Sequence, residues 1–147
     1  EIRVANDGGL LPRAANIVEA LEYRGTTDLS CDQLALEGAN GKMYTWKEYR
    51  DQVRAFGLAL QNRFPGERSG ITIHAFNRPE WFFSAVGALA VGYTVSGIYL
   101  TNTYEQAKHI IETSEVKVLV LEGLGLLETT YKTVLKDFPQ LMVILLD

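Results

Sequence analysis

From residue 71 onward the sequence repeats one rhythm. Short runs rich in apolar and β-branched residues, at 71–76, 94–99, 116–121 and 142–146, alternate with longer stretches of helical character. Runs of five or six such residues read as strands buried on both faces. Strands of that kind, separated by helices, build a parallel sheet covered by helices on both sides. The expected class is therefore α/β. Upstream, 33–37 alternates around Leu34 and Leu36, Gly38-Ala39-Asn40-Gly41 is a turn signal, and Lys42-Met43-Tyr44 can return as the second strand of a short N-terminal β-hairpin.

The punctuation between strands is equally legible. Residues 12–23 carry apolar residues at helical spacing, with Pro12 suited to the first turn and Gly25 to the stop. Thr45-Trp46-Lys47-Glu48 is a capping box opening a helix to about Arg63, and Thr103-Tyr104-Glu105-Gln106 opens another to about Thr113. Residues 124–138 read as one helix stopped by Pro139. No charged side chain occurs over 81–104, long enough by itself for a membrane span. Ser84, Gly87, Gly92, Thr94, Ser96 and Gly97 dilute its hydrophobicity, so it reads as a buried helix, a turn at Gly92-Tyr93 and a buried strand.

Charge and composition narrow the function. With 14 basic against 18 acidic residues the net charge is -4, which disfavours an electrostatic nucleic-acid binder. Cys31 is the single cysteine and His74 and His109 are the two histidines, so no metal site of cysteine and histidine is expected. These features fit an intracellular location. A phosphate-binding loop needs Gly-x4-Gly-Lys-Ser/Thr, but Gly41-Lys42 is followed by Met43 and Leu36 stands where the first glycine belongs. Gly123-Leu124-Gly125 follows a strand and opens a helix, as a dinucleotide fingerprint does, but Glu128 replaces the third glycine. His74 lies within an apolar run and reads as a core or subunit-contact residue, and His109 reads as exposed.

The segment Asn77-Arg78-Pro79-Glu80-Trp81-Phe82-Phe83 is a strand-to-helix corner. Asn77 is expected to cap the helix, Pro79 to pre-set its first turn, Glu80 to meet its positive end, and two or three of the aromatics Trp81, Phe82 and Phe83 to enter the core.

Several of these motifs together resemble the adenylate-forming (AMP-binding) enzymes. They are Tyr44-Thr45-Trp46, the block 71–81 ending in Phe76-Asn77-Arg78-Pro79-Glu80-Trp81, the run Glu80-Trp81-Phe82-Phe83-Ser84-Ala85-Val86-Gly87, and Ser96-Gly97-Ile98-Tyr99. The last two are similar to long-chain acyl-CoA synthetases of the bubblegum type. The resemblance covers about 42–147. One departure is Gly92-Tyr93, where the family often carries two glycines.

The resemblance implies that residues 31–147 are the first, incomplete part of the large N-terminal AMP-binding domain, preceded by an extension over 1–30. It also implies a fatty acid–CoA ligase. A fatty acid carboxylate attacks the α-phosphate of Mg2+-bound ATP, releasing pyrophosphate, and the coenzyme A thiol then displaces AMP. The family's Ser/Thr/Gly-rich phosphate loop ending in lysine is not in this sequence, so no catalytic or metal residue is carried over and this segment alone is expected to be inactive. The last strand reads as interior, which implies a longer polypeptide, exposed apolar surface and self-association. In related synthetases the loop after the Gly-Ile-Tyr strand approaches the tunnel for substrate and coenzyme A, which here points to Leu100, Thr101 and Asn102. Lipid substrates imply a cytoplasmic enzyme or one peripheral on a cytoplasmic membrane face. Two alternatives stand beside this reading: a stand-alone Rossmann- or flavodoxin-like nucleotide-binding module, and an adenylate-forming enzyme for another carboxylic acid.

Overall fold

The computed structural model describes residues 16–146, so Pro12 and the expected start of the first helix lie outside the described residues. In chain order the elements are α1 (Ile17–Thr26), β1 (Leu34–Glu37), β2 (Met43–Thr45), α2 (Trp46–Arg63), β3 (Gly70–His74), α3 (Pro79–Ala90), β4 (Thr94–Gly97), α4 (Tyr104–Thr113), β5 (Val116–Leu121), α5 (Leu124–Glu128), α6 (Val134–Asp137) and β6 (Met142–Leu145). β1 and β2 form the antiparallel hairpin, turned at Gly41 with φ +77°. The other four strands form one sheet in the order β4-β3-β5-β6, with every pair parallel.

Helices cover both faces, as the unbroken apolar strands require. Ile71 and Ile73 of β3 and Val118 and Val120 of β5 point to one face, where they pack with Leu60 of α2 and Ala85 and Ala88 of α3. Leu119 and Leu121 point to the other, against Ala107 and Ile111 of α4, Tyr131 and Val134. A third cluster joins Leu21 of α1 and Tyr44 of the hairpin to Tyr49, Val53, Phe83 and Val86. α2 and α3 cross in backbone contact: a Cβ on Gly87 would stand 2.6 Å from the Val53 carbonyl oxygen, and one on Gly57 would stand 2.8 Å from the Gly87 oxygen.

Both capping boxes form. The Glu48 amide donates to Thr45 Oγ1 at 3.2 Å while Glu48 Oε2 accepts from the Thr45 amide at 2.8 Å. Thr103 and Gln106 repeat the pattern at 3.4 and 2.9 Å. The uncharged span folds as α3, a turn at Gly92 with φ +85°, and β4. Among the described residues no helix is long and apolar enough to cross a membrane.

Two expectations about the helices are corrected. First, Asn77 is not the cap of α3. Arg78 occupies that position with extended backbone and no side-chain capping bond. Proline holds its predecessor extended and suits the first helical position, so Pro79 sets the boundary at Arg78 and leaves Asn77 one residue too early. Second, the helix expected over 124–138 is split into α5 and α6. Thr129 Oγ1 donates to the Gly125 carbonyl at 2.6 Å, the Tyr131 amide reaches Leu126 O at 2.9 Å, and the turn carries Tyr131 fully into the core. Of the corner's aromatics, Phe83 is fully inside and Trp81 packs against the core, two of the expected two or three. Trp81 is half-buried and Phe82 faces outward. The strands expected over 71–76 and 94–99 also stop earlier, at His74 and Gly97, which frees the following residues to form loops.

Candidate functional site at the carboxyl edge of the sheet

β3 and β4 end side by side, and the chain leaving each encloses a cleft of about 580 Å³. Ala75, Phe76 and Asn77 line it from β3, Ile98, Tyr99, Leu100 and Thr101 from β4, and the Trp81 indole from α3. Gly97 lies in the wall beside the indole, where an added Cβ would make ordinary contact with Trp81 Cζ2 at 3.9 Å. A volume of this order suits a small-molecule ligand, and walls that are mostly apolar with a few polar groups are the usual composition of such sites. Phe76 at 62% exposure and Tyr99 at 80% leave large apolar surface at its rim.

A second cleft of about 240 Å³ adjoins the first through Phe76 and Asn77, and is lined by Asn40, Tyr44, Arg78, Pro79, Glu80 and Glu122 among others. It is the more polar of the two and carries the charged groups, although apolar atoms still supply most of its lining. Arg78 Nε donates to Glu80 Oε2 at 2.8 Å, and Arg78 Nη1 reaches the Glu122 carbonyl at 3.5 Å. Glu122 Oε2 accepts from the Phe76 amide at 3.1 Å, which ties the exit of β3 to the exit of β5. Burial alone would raise the Glu80 carboxyl, but the Arg78 guanidinium and the helix backbone outweigh it and hold the group below its ordinary range.

The location has a topological reason. Counting only the four parallel strands along the chain, their spatial order is 2-1-3-4. The chain first winds from β3 to β4, then returns past β3 to β5. The direction of winding reverses between β3 and β5, and open α/β sheets bind ligands outside the carboxyl ends of strands at such a switch point. The polar cleft lies there, between the residues that follow β3 and Glu122, which follows β5.

Leu100 and Thr101 line the apolar cleft, whereas Asn102 does not; its amide closes a turn onto Tyr99 O at 2.9 Å. Asn77 lines both clefts, Trp81 the apolar one, and Pro79 and Glu80 the polar one. Sequence reading missed Arg78 and Glu122 as site residues. Glu122 stands directly after an apolar strand run, and that position was the available signal. Gly123-Leu124-Gly125 opens a helix of only five residues.

His74 sits just below this edge, fully buried, with Nδ1 2.7 Å from the Tyr131 hydroxyl. Burial lowers the His74 pKa and raises that of Tyr131. His109 is exposed, and Cys31 is half-buried. Among the described residues no group of three or more His, Cys, Asp or Glu is arranged to hold a metal ion.

The profile of the family described as AMP-binding enzyme matches residues 25–146. This chain belongs to that family. Among curated relatives, the long-chain-fatty-acid–CoA ligase heimdall of Drosophila melanogaster is 41% identical over 78 residues, covering 53% of this chain and 12% of that protein. The long-chain-fatty-acid–CoA ligase ACSBG1 of Rattus norvegicus is 38% identical over 76 residues, covering 52% of this chain and 10% of that protein. The matched half of this chain therefore corresponds to only about a tenth of the length of these relatives.

Solved structures show the same fold. The anthranilate CoA ligase AuaEII, in complex with anthranoyl-AMP, superposes with a TM-score of 0.78 at 19% identity, covering 92% of this chain and 25% of that one. Apo MatB from Rhodopseudomonas palustris superposes with a TM-score of 0.70 at 16% identity, covering 85% and 25%. The architecture is that of the N-terminal domain of adenylate-forming enzymes, of which this chain supplies a part. Family membership displaces the stand-alone nucleotide-binding module.

Proposed function

We propose that this chain is the N-terminal part of a long-chain fatty acid–CoA ligase, which joins a fatty acid to coenzyme A at the expense of ATP. The observation that carries the reading is the identity of 41% and 38% with relatives named as long-chain ligases. The likeness to an anthranilate ligase, at 19% identity, speaks for the fold and not for the acid. In this reading residues 31–147 open the large N-terminal domain, and residues 1–30 form an extension whose helix α1 docks on α2 and α3 through Leu21.

The residues present do not fit a triphosphate with its Mg2+. The sequence has no Ser/Thr/Gly-rich loop ending in lysine, and the groups at the carboxyl edge are carboxylates, amides and aromatic rings with Arg78 already paired to Glu80. The contribution of this segment is a wall. Leu100 and Thr101, with Trp81 opposite, bound the passage by which acyl group and coenzyme A approach, and Asn102 closes the turn that carries them. In this reading the enzyme works in the cytoplasm or peripherally on the cytoplasmic face of a membrane. The apolar residues of β6, which among the described residues pairs only with β5, favour self-association of the isolated segment.

The test is to express the complete open reading frame that contains this segment and assay thioester formation with palmitate, acetate and anthranilate in the presence of ATP, Mg2+ and coenzyme A. Palmitoyl-CoA is the expected main product. Turnover of anthranilate without palmitate would refute the long-chain reading. The 147-residue chain alone is expected to give no thioester, and measurable turnover by it would place catalytic groups here after all.

A further inference from the structure

Gly92-Tyr93, where the family often carries two glycines, holds a group that the ligase reading does not use. Gly92 makes the turn into β4 with φ +85°, and Tyr93 is 3% exposed, its ring in the core with Leu60, Ile71 and Val118. Its hydroxyl is buried and has no hydrogen-bond partner among the described residues. Buried polar groups are nearly always paired, because burial removes their water and only another partner offsets that loss.

Tyr93 lines a third cleft, of about 230 Å³, at the amino edge of the sheet, together with Gln61 of α2 and Glu67 and Arg68 of the loop before β3. The five residues of β3, roughly 16 Å, separate it from the two clefts at the carboxyl edge. Glu67 acts electrostatically on the phenol, which brings the hydroxyl end of the ring to the cleft wall. Gln61, Glu67 and Arg68 are exposed side chains, so a ligand reaches the hydroxyl through rotamer changes without backbone movement.

The electrostatics select the ligand. Glu67 is already paired with Lys117, Arg63 stacks over the Phe64 ring of the cleft at 5.0 Å, and Arg68 also lines a neighbouring cleft with Glu115. Arg63, Arg68 and Lys117 against Glu67 and Glu115 leave a local excess of one positive charge in a chain of net charge -4. Burial first, then Glu67, holds the Tyr93 phenol above its ordinary range against the pull of Lys117, so at neutral pH the hydroxyl is a donor. Arg68 is exposed, so solvent satisfies it; the buried hydroxyl is the group that points to a ligand.

We propose that this cleft binds a tetrahedral oxyanion of the size of inorganic phosphate, which accepts from the Tyr93 hydroxyl and pairs with the Arg68 guanidinium. Phosphate offers oxygens in several directions and so suits donors converging from α2, the loop before β3 and the start of β4, whereas a carboxylate presents two oxygens in one plane. The site is separate from the passage at the carboxyl edge and stands whether or not the ligase reading does.

The 147-residue chain, labelled with 15N, is titrated at neutral pH with sodium phosphate and, separately, with sodium acetate, with ionic strength held constant by sodium chloride. The expected result is a saturable shift of the Gly66 amide and the Arg68 Nε–H with phosphate, a weaker response to acetate, and an unmoved Trp81 indole signal at the other edge. Tyr93→Phe should weaken phosphate about tenfold or more, the loss of one hydrogen bond to a charged acceptor. In phosphate-free buffer the same variant should be at least as stable as the parent, because the hydroxyl removed had no partner to lose. Arg68→Gln, an exposed change that leaves the core intact, should also weaken phosphate about tenfold or more. Four results would each overturn the proposal: no saturable shift at Gly66 and Arg68, acetate bound as tightly as phosphate, an unchanged phosphate affinity in either variant, or a lowered thermal midpoint of Tyr93→Phe without phosphate, which would show the hydroxyl bonded within the protein.

Discussion

Replacing Gly87 by alanine tests the crossing of α2 and α3, on which the placement of the Trp81 corner depends. In an open helix this change would stabilise by about 0.8–1.0 kcal/mol, the difference in helix propensity. Here the new methyl would stand 2.6 Å from the Val53 carbonyl oxygen and 3.1 Å from both the Gly57 nitrogen and Phe56 Cβ. Two of the three obstacles are backbone, so no rotamer change relieves them and the helices must part. Overpacking of that kind costs about 1–3 kcal/mol, and a backbone clash belongs in the upper half of that range. The net expectation is a loss of about 1–2 kcal/mol, or about 3–6 °C in thermal midpoint for a chain of this size. Urea unfolding followed by tryptophan fluorescence reads it as a lowered midpoint at constant slope. Gly125→Ala is the matched control, because a Cβ there meets nothing within 4 Å. It should be neutral or slightly stabilising. If Gly87→Ala proves as stable as the parent chain, the close crossing is wrong.

Further consequences follow from named contacts. Thr45→Ala removes the capping box of α2 and should cost about 1 kcal/mol in urea unfolding, with Thr45→Ser restoring most of it. Tyr131→Phe deprives buried His74 Nδ1 of its 2.7 Å partner and should cost about 1–3 kcal/mol. His74 also predicts a pH dependence. Its pKa is lowered in the folded state by burial, against a weaker opposing pull from Glu122. The unfolded chain therefore takes up a proton first, near the ordinary value of about 6.5. The stabilising contribution is complete above that pH and is lost as pH falls through the window below it, by at most about 1.4 kcal/mol per pH unit. Comparing urea midpoints at pH 7.5 and 5.5 should show a smaller drop in His74→Gln than in the parent, and equal drops would contradict the assignment.

Much of the fold was legible because its causes are local. Short β-branched runs, two capping boxes and glycine turns each act within a few residues, so the six strands and the principal helices could be read from the chain. The largest misreading came where distant groups compete with local preference. The stretch 124–138 has helical composition, yet the core takes Tyr131 to satisfy His74 on a strand 57 residues away and breaks the helix there.

The candidate site shows the same division. By itself the sequence determined that β3, β4 and β5 end in loops, that Pro79 begins a helix, and that the phosphate-handling loop of the family is not among these residues. It could not determine that β3 lies between β4 and β5, because strand order is a property of how the sheet is wound and leaves no periodicity in the chain. Only the tertiary structure put the reversal of winding beside Glu122 and Arg78, and set Asn77 where the two clefts meet, because both depend on which strands lie side by side.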